Sequence, residues 1–379
     1  MEEKRKYCGE FAKLGVCREC GTVYAAEIFC GKEWCNVCRE KMESRRFGRL
    51  YPKVYRMNGG FGFFVFTIPE HMRPYFLEKG NLSKLRTFLR RKLKRIYLDL
   101  RAIARWHFFD TEENLYKYHP HLNIMVDALE YINPNDLCRL KQDYKRFLER
   151  ETGQKIATKT NPQGKVDVFY RFYSVKRIKE EFEKLQSGKK KQSKFLKDKY
   201  IKEIRKSLQV GWSLDDACNE QYLKIRAHKL KYITRATFLI YQKQIGEKLK
   251  GFRNCSIWGK FEKLKLEEKE KIDSEIKKEF KGDVRGLIVS RGQCPFCRGR
   301  IKWAKGKGRS GLVDSGICRG GEDLGGGIWV VAFGSRDSPV REKLIINEKE
   351  VVEDKRYHSL LYESAMNDNK WKERVDIYG

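Results

Sequence analysis

Nine of the twelve cysteines in this chain fall into two clusters, one near each end of the sequence. In the first cluster, Cys17-x-x-Cys20 and Cys35-x-x-Cys38 have the spacing of zinc-ribbon knuckles. Two thiolates at that spacing wrap one side of a tetrahedral ion, and two such pairs complete its coordination. We therefore predict a structural zinc site formed by Cys17, Cys20, Cys35 and Cys38.

The other clustered cysteines leave alternatives open. Cys8 and Cys30 can replace a member of that site, form a second zinc site, or remain buried thiols. Cys294-x-x-Cys297 and Cys318 are spaced like a zinc ribbon that lacks one ligand. The candidates for its fourth ligand are Cys255, Asp314 and His358.

The charge of the chain points to a polyanionic partner. Its 379 residues include 82 lysines and arginines against 51 acidic residues, a net charge of +31 with a pI near 9.6. Such an excess favours nucleic acid. No apolar run reaches the ~20 residues of a membrane-spanning helix, and residues 1–6 have no signal-peptide core. We expect a soluble, cytoplasmic protein with no membrane partner.

A His-x-His pair opens the apolar run 122–126. Residues two apart on a strand point to the same face, so His119 and His121 project together from the predicted strand. Two imidazoles on one face of a sheet suit a single divalent metal ion. The alternative is two surface histidines at a strand edge. The preceding segment 100–109 reads as another strand, and a short polar turn predicts that the two pair antiparallel, with His107 at the level of the pair.

Four segments together resemble one known superfamily. His-Pro-His at 119–121 resembles the HUH motif of single-strand DNA endonucleases, which include rolling-circle replication initiators, relaxases and certain transposases. Phe-Phe-Val-Phe-Thr-Ile-Pro at 63–69 resembles the first strand of plasmid Rep proteins. Lys-Tyr-Ile-Thr at 231–234 resembles their nucleophilic tyrosine motif, and the cysteines at 30–38 resemble their N-terminal signature. The four occur in the same order as in those proteins, over roughly the first 260 residues.

The resemblance implies a set of catalytic residues. His107 takes the place of a third metal ligand, with Glu112 or Glu113 as alternatives, and Asn123 stands where many relatives have another histidine. Tyr232 is the implied nucleophile, on a helix with a capping-box start at Ser213. The competing nucleophiles are Tyr222 and Tyr241. The residues that can assist loss of the Tyr232 proton are Lys224, His228, Lys231 and Arg235. A second tyrosine four residues away is missing, which favours the single-tyrosine Rep class.

The implied activity is nicking and rejoining of single-stranded origin DNA. A divalent Mg²⁺ or Mn²⁺ polarises the scissile phosphate while the tyrosine takes the 5′-phosphate, leaving a 3′-hydroxyl. That hydroxyl primes the host polymerase, so a prokaryotic plasmid initiator working with host helicase and polymerase is implied. The alternatives are a rolling-circle transposase and a non-catalytic zinc-containing DNA-binding regulator.

The resemblance also implies the fold, an α+β domain with a central antiparallel sheet, flanking helices, and small zinc modules at both ends. We predict an N-terminal zinc module at 1–55 and a nicking domain at 56–262, with an exposed lysine-rich insertion at about 187–206. A charged helical spacer at 263–284 then leads to a C-terminal zinc-ribbon-like module at 285–345 and a tail at 346–379.

Overall fold

The computed structural model describes residues 8–28, 35–57, 59–109, 118–193, 195–236, 243–261, 285–303, 312–318, 321–325 and 327–332, with positions 268 and 272. The chain forms two compact units. Unit 1 combines Met1–Leu50 with Leu264–Gly379, and unit 2 is Tyr51–Lys263. The predicted spacer at 263–284 and the tail at 346–379 fall almost entirely outside the described residues.

The fold is α+β, with two antiparallel sheets. The strands are β1 (Phe11–Cys17), β2 (Val23–Glu27), β3 (Phe61–Thr67), β4 (Ala102–Phe109), β5 (Tyr118–Asp127), β6 (Val168–Tyr173), β7 (Cys255–Trp258), β8 (Ile301–Trp303), β9 (Leu312–Asp314), β10 (Glu322–Asp323) and β11 (Ile328–Ala332). The helices are α1 (Asn36–Tyr55), a 3₁₀ helix (Glu70–Leu77), α2 (Lys79–Ile96), α3 (Pro134–Thr152), α4 (Val175–Gln186), α5 (Asp198–Gln209), α6 (Leu214–Thr234), α7 (Lys243–Lys248), α8 (Arg285–Ser290) and α9 (Ser315–Cys318).

The sheet of unit 2 has the strand order β6-β3-β5-β4-β7, and side-chain alternation gives it two faces. On one face, the rings of Phe66 and Tyr144 of α3 lie 5.3 Å apart, and the Tyr144 hydroxyl donates to the Thr67 carbonyl at 2.9 Å. On the other face, the ring of Phe63 lies 6.2 Å from that of Tyr232 on α6. Helices therefore cover both faces of this sheet.

The long helices of unit 2 begin at the predicted residues. The Asn133 side chain accepts a hydrogen bond from the Asn135 N–H at 2.8 Å, and Ser213 Oγ accepts one from the Asp216 N–H at 3.1 Å. Both bonds satisfy N–H groups that have no partner inside the helix. Gly153 ends α3 with a φ of 68°, a left-handed conformation that favours glycine. Local sequence thus determines where these helices start and stop.

The lysine-rich segment differs from its prediction. We expect an exposed insertion over about 187–206. Its second half instead belongs to α5, which packs on α6 and buries Tyr200, Ile201 and Ile204. These residues lie within one helical turn and form an apolar stripe. The lysines of α5 lie on the exposed side of the helix. The high lysine content of the segment therefore gave no indication of the apolar stripe.

Unit 1 corrects the predicted domain organisation. The sequence predicts separate zinc modules at 1–55 and 285–345, whereas the structure joins them in one sheet of order β10-β11-β2-β1-β8, with β9 also paired to β1. N-terminal β1 pairs with β8 and β9, and β2 pairs with β11. Two short strands at one end of a chain rarely bury enough surface to be stable alone. The two chain ends therefore complete a single unit.

None of the described helices combines the length and the apolar character that crossing a bilayer needs.

Candidate active site and metal centres

The pairing of β4 with β5 brings two of the predicted histidines together. His107 lies directly opposite His121 in the antiparallel register, as predicted. The centroids of their rings are 5.3 Å apart, and those of His119 and His121 are 5.4 Å apart. All three side chains lie on the sheet face covered by α6, because residues 119 and 121 are two apart and 107 is paired with 121.

Backbone carbonyls determine the tautomers of two of these rings. His107 Nε2 lies 3.0 Å from the Ile233 carbonyl oxygen, and His121 Nδ1 lies 2.9 Å from that of His119. A carbonyl oxygen only accepts, so the facing nitrogen carries the proton in each ring. The lone pair is then on Nδ1 of His107, which has no hydrogen-bond partner among the described residues, and on Nε2 of His121. A bond of this kind commonly orients a metal-ligating imidazole.

His107 is held in its neutral form. Its side chain is completely buried, and burial lowers its pKa well below the ordinary value, with the positive charges of His121, Arg105 and Arg235 adding to the effect. A neutral imidazole is the form that binds a metal ion. The donor chemistry of the three histidines therefore fits a divalent ion. Within the described part of the chain, however, their ligand nitrogens do not all come within 4.8 Å of one another.

Helix α6 brings Tyr232 to the same face. The ring centroid of Tyr232 is 5.2 Å from that of His107, and the guanidinium carbon of Arg235 lies 4.2 Å from the tyrosine ring centroid. Tyr222, a competing candidate, is buried and its hydroxyl donates to the Met57 carbonyl. Of these two tyrosines, only Tyr232 contacts the histidines in the structure.

The other predicted helpers of Tyr232 point elsewhere. His228 Nδ1 is 2.7 Å from the Tyr200 hydroxyl on α5, and Lys224 forms an ion pair with Glu203 at 2.5 Å. Lys231 is exposed. Arg235 is the predicted helper that touches the tyrosine ring. Glu112, Glu113 and Tyr241 lie outside the described residues.

Three further residues at this face were missed or undervalued. Arg105 on β4 is fully buried and donates to the carbonyls of Ile233 and Arg235. Asn123 on β5 is fully buried, and neither its amide nitrogen nor its amide oxygen has a hydrogen-bond partner among the described residues. Lys229 lies 4.8 Å from the Phe63 ring centroid. The alternation that groups His119 with His121 also selects Arg105 and Asn123, and this signal was available in the sequence.

One complete cysteine cluster lies in unit 1, and it corrects the predicted zinc ligands. Cys17, Cys20, Cys294 and Cys297 have all their sulfurs within 4.8 Å of one another. The Cys17–Cys297 and Cys20–Cys294 distances are 3.4 and 3.6 Å, near the roughly 3.8 Å expected between thiolates on a tetrahedral zinc with bonds of about 2.3 Å. The predicted set of Cys17, Cys20, Cys35 and Cys38 is wrong, because the first pair joins the C-terminal pair.

The remaining knuckle pair belongs to a second cluster. Cys35 and Cys38 lie with Cys8, and the Cys8–Cys38 distance is 3.0 Å. This group offers three zinc ligands within the described residues. Cys30 and the side chain of Cys318 are outside them. Of the predicted C-terminal ribbon, Cys294 and Cys297 lie with the N-terminal Cys17 and Cys20.

A tyrosine supports the four-cysteine cluster. Tyr24 is completely buried in unit 1, and its hydroxyl oxygen lies 2.8 Å from the sulfur of Cys294. A hydroxyl that donates to a thiolate holds the ligand in position and stabilises its negative charge. The four sulfurs and this donor fit a structural zinc ion.

Comparison of the chain with protein-family models, with curated proteins and with solved structures gave no match.

Proposed function

We propose that unit 2 nicks and rejoins single-stranded DNA through a covalent phosphotyrosine at Tyr232. The observation that carries the proposal is the 5.2 Å separation of the Tyr232 and His107 rings, because His107 is paired in register with His121. A phenol beside a group of imidazoles on a rigid sheet is suited to phosphoryl transfer, which needs a nucleophile and a positive centre near one phosphate. The proposed biological role is initiation of rolling-circle replication of a plasmid.

The charges around the tyrosine support an anionic substrate. Arg235 stacks on the Tyr232 ring, and Arg105 and Arg171 lie on the same sheet face. A free phenol has a pKa near ~10, and a neighbouring guanidinium favours the phenolate that attacks phosphorus. The same cation attracts the phosphate of the DNA strand. Arg235 is therefore the residue that we propose assists Tyr232.

His107, His119 and His121 are the residues that would hold a divalent ion. Such an ion supplies Lewis-acid polarisation of the scissile phosphate. Three imidazole nitrogens favour a transition-metal ion such as Mn²⁺ over Mg²⁺, which prefers oxygen ligands. His107 and His121 each keep one ring nitrogen with a lone pair, because the carbonyls of Ile233 and His119 accept hydrogen bonds from their other ring nitrogens.

The proposed chemistry is balanced and reversible. The Tyr232 oxygen bonds to phosphorus and loses its proton, while the bond from phosphorus to the 3′-oxygen breaks and that oxygen gains a proton. The reverse attack by the 3′-hydroxyl restores the strand and frees the tyrosine. No nucleotide hydrolysis is needed, since the phosphotyrosine keeps the energy of the broken ester.

The decisive experiment is detection of the covalent adduct. The full chain is incubated with a labelled single-stranded oligonucleotide library and Mn²⁺, then resolved on a denaturing gel. Tyr232→Phe should abolish the adduct while DNA binding persists. Tyr222→Phe and Tyr241→Phe are the controls and should keep it. An adduct that survives in Tyr232→Phe but disappears in either control would move the nucleophile.

The histidines are tested separately. His119→Ala combined with His121→Ala should abolish the adduct without weakening DNA binding, whereas His71→Ala should have no effect. His71 is an exposed histidine that contacts the Lys155 carbonyl. If the double variant still forms the adduct at the wild-type rate, the metal role fails. If the wild-type chain forms no adduct with any strand, the non-catalytic regulator is the better interpretation.

A further inference from the structure

A cavity of about 530 Å³ lies in unit 1, and none of the clustered cysteines is among its lining residues. It is bounded by one side of α1, by the end of β2 and by residues from the C-terminal half of the unit. Its lining includes Glu27, Met42, Arg45, Arg46, Arg49 and Trp303. This volume is in the range of small-molecule sites, about 300–1,000 Å³.

The α1 side of the cavity is basic where a packed helix is normally apolar. Met42, Arg45, Arg46 and Arg49 are spaced by three and four residues, so they share one helix face. Arg46 is only 8% exposed. Removing a guanidinium from water is costly unless an opposite charge compensates it. A sequence that places three arginines along this face is therefore suited to an anion.

One carboxylate lies among the lining residues beside those three arginines. Glu27 is 3% exposed and lies at the end of β2. Three guanidinium groups against one carboxylate leave a lining charge of about +2. Arginine is the preferred side chain for planar, two-pronged contacts with phosphate. The net charge matches a phosphate group rather than a neutral ligand.

Trp303 supplies an aromatic surface to the lining of the cavity. Trp303 packs directly on β1, where a Cβ at Gly15 would come within 2.5 Å of the indole ring. The absence of a side chain at Gly15 lets the ring lie flat against the strand and fixes its orientation. Nucleobases stack on such rings with about 1–3 kcal/mol per base. A cavity lined both by an indole and by a basic helix face thus offers a contact for a base and a contact for a phosphate.

We infer that this cavity binds a nucleoside phosphate, with the base against Trp303 and the phosphate against Arg45 and Arg46. The two sources of that chemistry are a nucleotide unit within single-stranded DNA and a free nucleotide. A phosphorylated peptide would satisfy the arginines but not the indole. The inference does not depend on the nicking activity proposed for Tyr232, because the residues belong to unit 1.

The first test leaves every residue of the cavity unchanged. The Tyr232→Phe chain is mixed with a single-stranded oligonucleotide containing 5-iododeoxyuridine, irradiated and digested, and the cross-linked peptides are identified by mass spectrometry. The peptide that contains Trp303 should be labelled. Excess unlabelled strand should remove the label if a strand is the ligand, and excess thymidine monophosphate should remove it if a free nucleotide is. Labelling confined to other peptides overturns the inference.

The second test uses matched charge changes. Arg45→Gln combined with Arg46→Gln should weaken binding of a labelled single strand, or of labelled thymidine monophosphate, about tenfold or more, as expected for loss of charge-assisted hydrogen bonds. Arg18→Gln is the control, since Arg18 is exposed in the same unit and lies outside the cavity. Zinc content and thermal midpoint are measured for each variant. Equal affinities in folded, zinc-loaded double variant and control would overturn the site, whatever the result for the Tyr232 adduct.

Discussion

Arg105 on β4 donates to the carbonyl of Ile233 on α6 at 2.7 Å and to that of Arg235 at 2.5 Å. The carbonyls at the end of a helix have no partner within the helix, and they carry the negative end of its dipole. A buried guanidinium is well suited to both. Arg105 is two residues from His107. Strand β4 therefore carries a candidate metal ligand and also contacts the C-terminal end of α6, the helix of Tyr232.

Replacing Arg105 should loosen that connection. Arg105→Met keeps most of the side-chain volume but removes the charge and both hydrogen bonds, so the free energy of unfolding should fall by about 2–4 kcal/mol. Formation of the Tyr232 adduct should fall more than DNA binding does. Urea unfolding and the adduct gel measure the two effects. Arg90→Met changes an exposed arginine on α2 and should stay within about 0.5 kcal/mol of wild type; an equal loss in both variants would contradict the assigned role.

Asn123 should show a trade between stability and activity. Its buried amide has no hydrogen-bond partner among the described residues, so Asn123→Leu should raise the free energy of unfolding by about 1 kcal/mol. The same change should reduce adduct formation if the amide contacts the metal ligands or the strand. Asn161→Leu should instead lower the free energy of unfolding, because the Asn161 amide forms hydrogen bonds with both the N–H and the carbonyl of Lys165. A less stable Asn123→Leu would show that the amide is satisfied.

Lys229 predicts a pH dependence of stability. Burial, with help from Arg171 and Lys197, lowers its pKa from 10.5 to about 8 in the folded chain. Between those two values the unfolded state binds more protons at this site, so its contribution to stability rises with pH from about 8 to about 10.5. At pH 7 the charged form is disfavoured in the folded state, and Lys229→Met should stabilise the chain by roughly 1–3 kcal/mol.

Urea unfolding at pH 7 and pH 10 checks this prediction. The stability difference between Lys229→Met and wild type should shrink at the higher pH. Lys231→Met removes an exposed charge from the same helix and should give little difference at either value. If the stability difference between Lys229→Met and wild type were the same at both pH values, the pKa of the wild-type Lys229 amine would not be lowered by folding.

The cysteine grouping makes a stoichiometric prediction. Cys20→Ser and Cys297→Ser should each remove the same equivalent of zinc, and the double variant should lose no more than either single one. Cys35→Ser should remove a different equivalent, because Cys35 belongs to the Cys8 cluster. Metal analysis of the purified chain decides this. Cys138→Ser, an exposed cysteine of unit 2, should leave the content unchanged, and additive losses in the double variant would contradict the shared site.

Tyr24→Phe should weaken this zinc site without removing it. Loss of the hydroxyl that contacts Cys294 is expected to reduce zinc affinity about tenfold to a hundredfold. Competition with a chromogenic chelator measures the change. Tyr51→Phe, a buried tyrosine outside the cluster, is the comparison.

Much of unit 2 could be predicted because its signals are local. The His107–His121 pairing follows from two apolar runs joined by a short segment, and the caps at Asn133 and Ser213 depend on neighbouring backbone groups. The prediction that Tyr232 approaches the histidines came from a resemblance of motifs rather than from periodicity.

The failures have a common physical cause. Cys17 lies in the same four-cysteine cluster as Cys297, and no local sequence pattern indicates which distant pair of thiols will come together. All three pairs have the spacing Cys-x-x-Cys, so the sequence predicted that Cys17 and Cys20 would join the pair nearest to them along the chain. Arg105 was overlooked for a similar reason, since a charged residue in a buried strand makes sense only once the end of α6 lies beside it.

The separation of Cys20 from Cys294 by 274 residues has a consequence for synthesis on the ribosome. At roughly 5–20 residues per second, the N-terminal knuckle waits on the order of tens of seconds for its C-terminal counterpart to be made. All of Tyr51–Lys263 emerges in that interval. A nascent chain therefore carries an incomplete pair of thiols throughout, and truncation before residue 294 would leave unit 2 translated but the sheet of unit 1 incomplete.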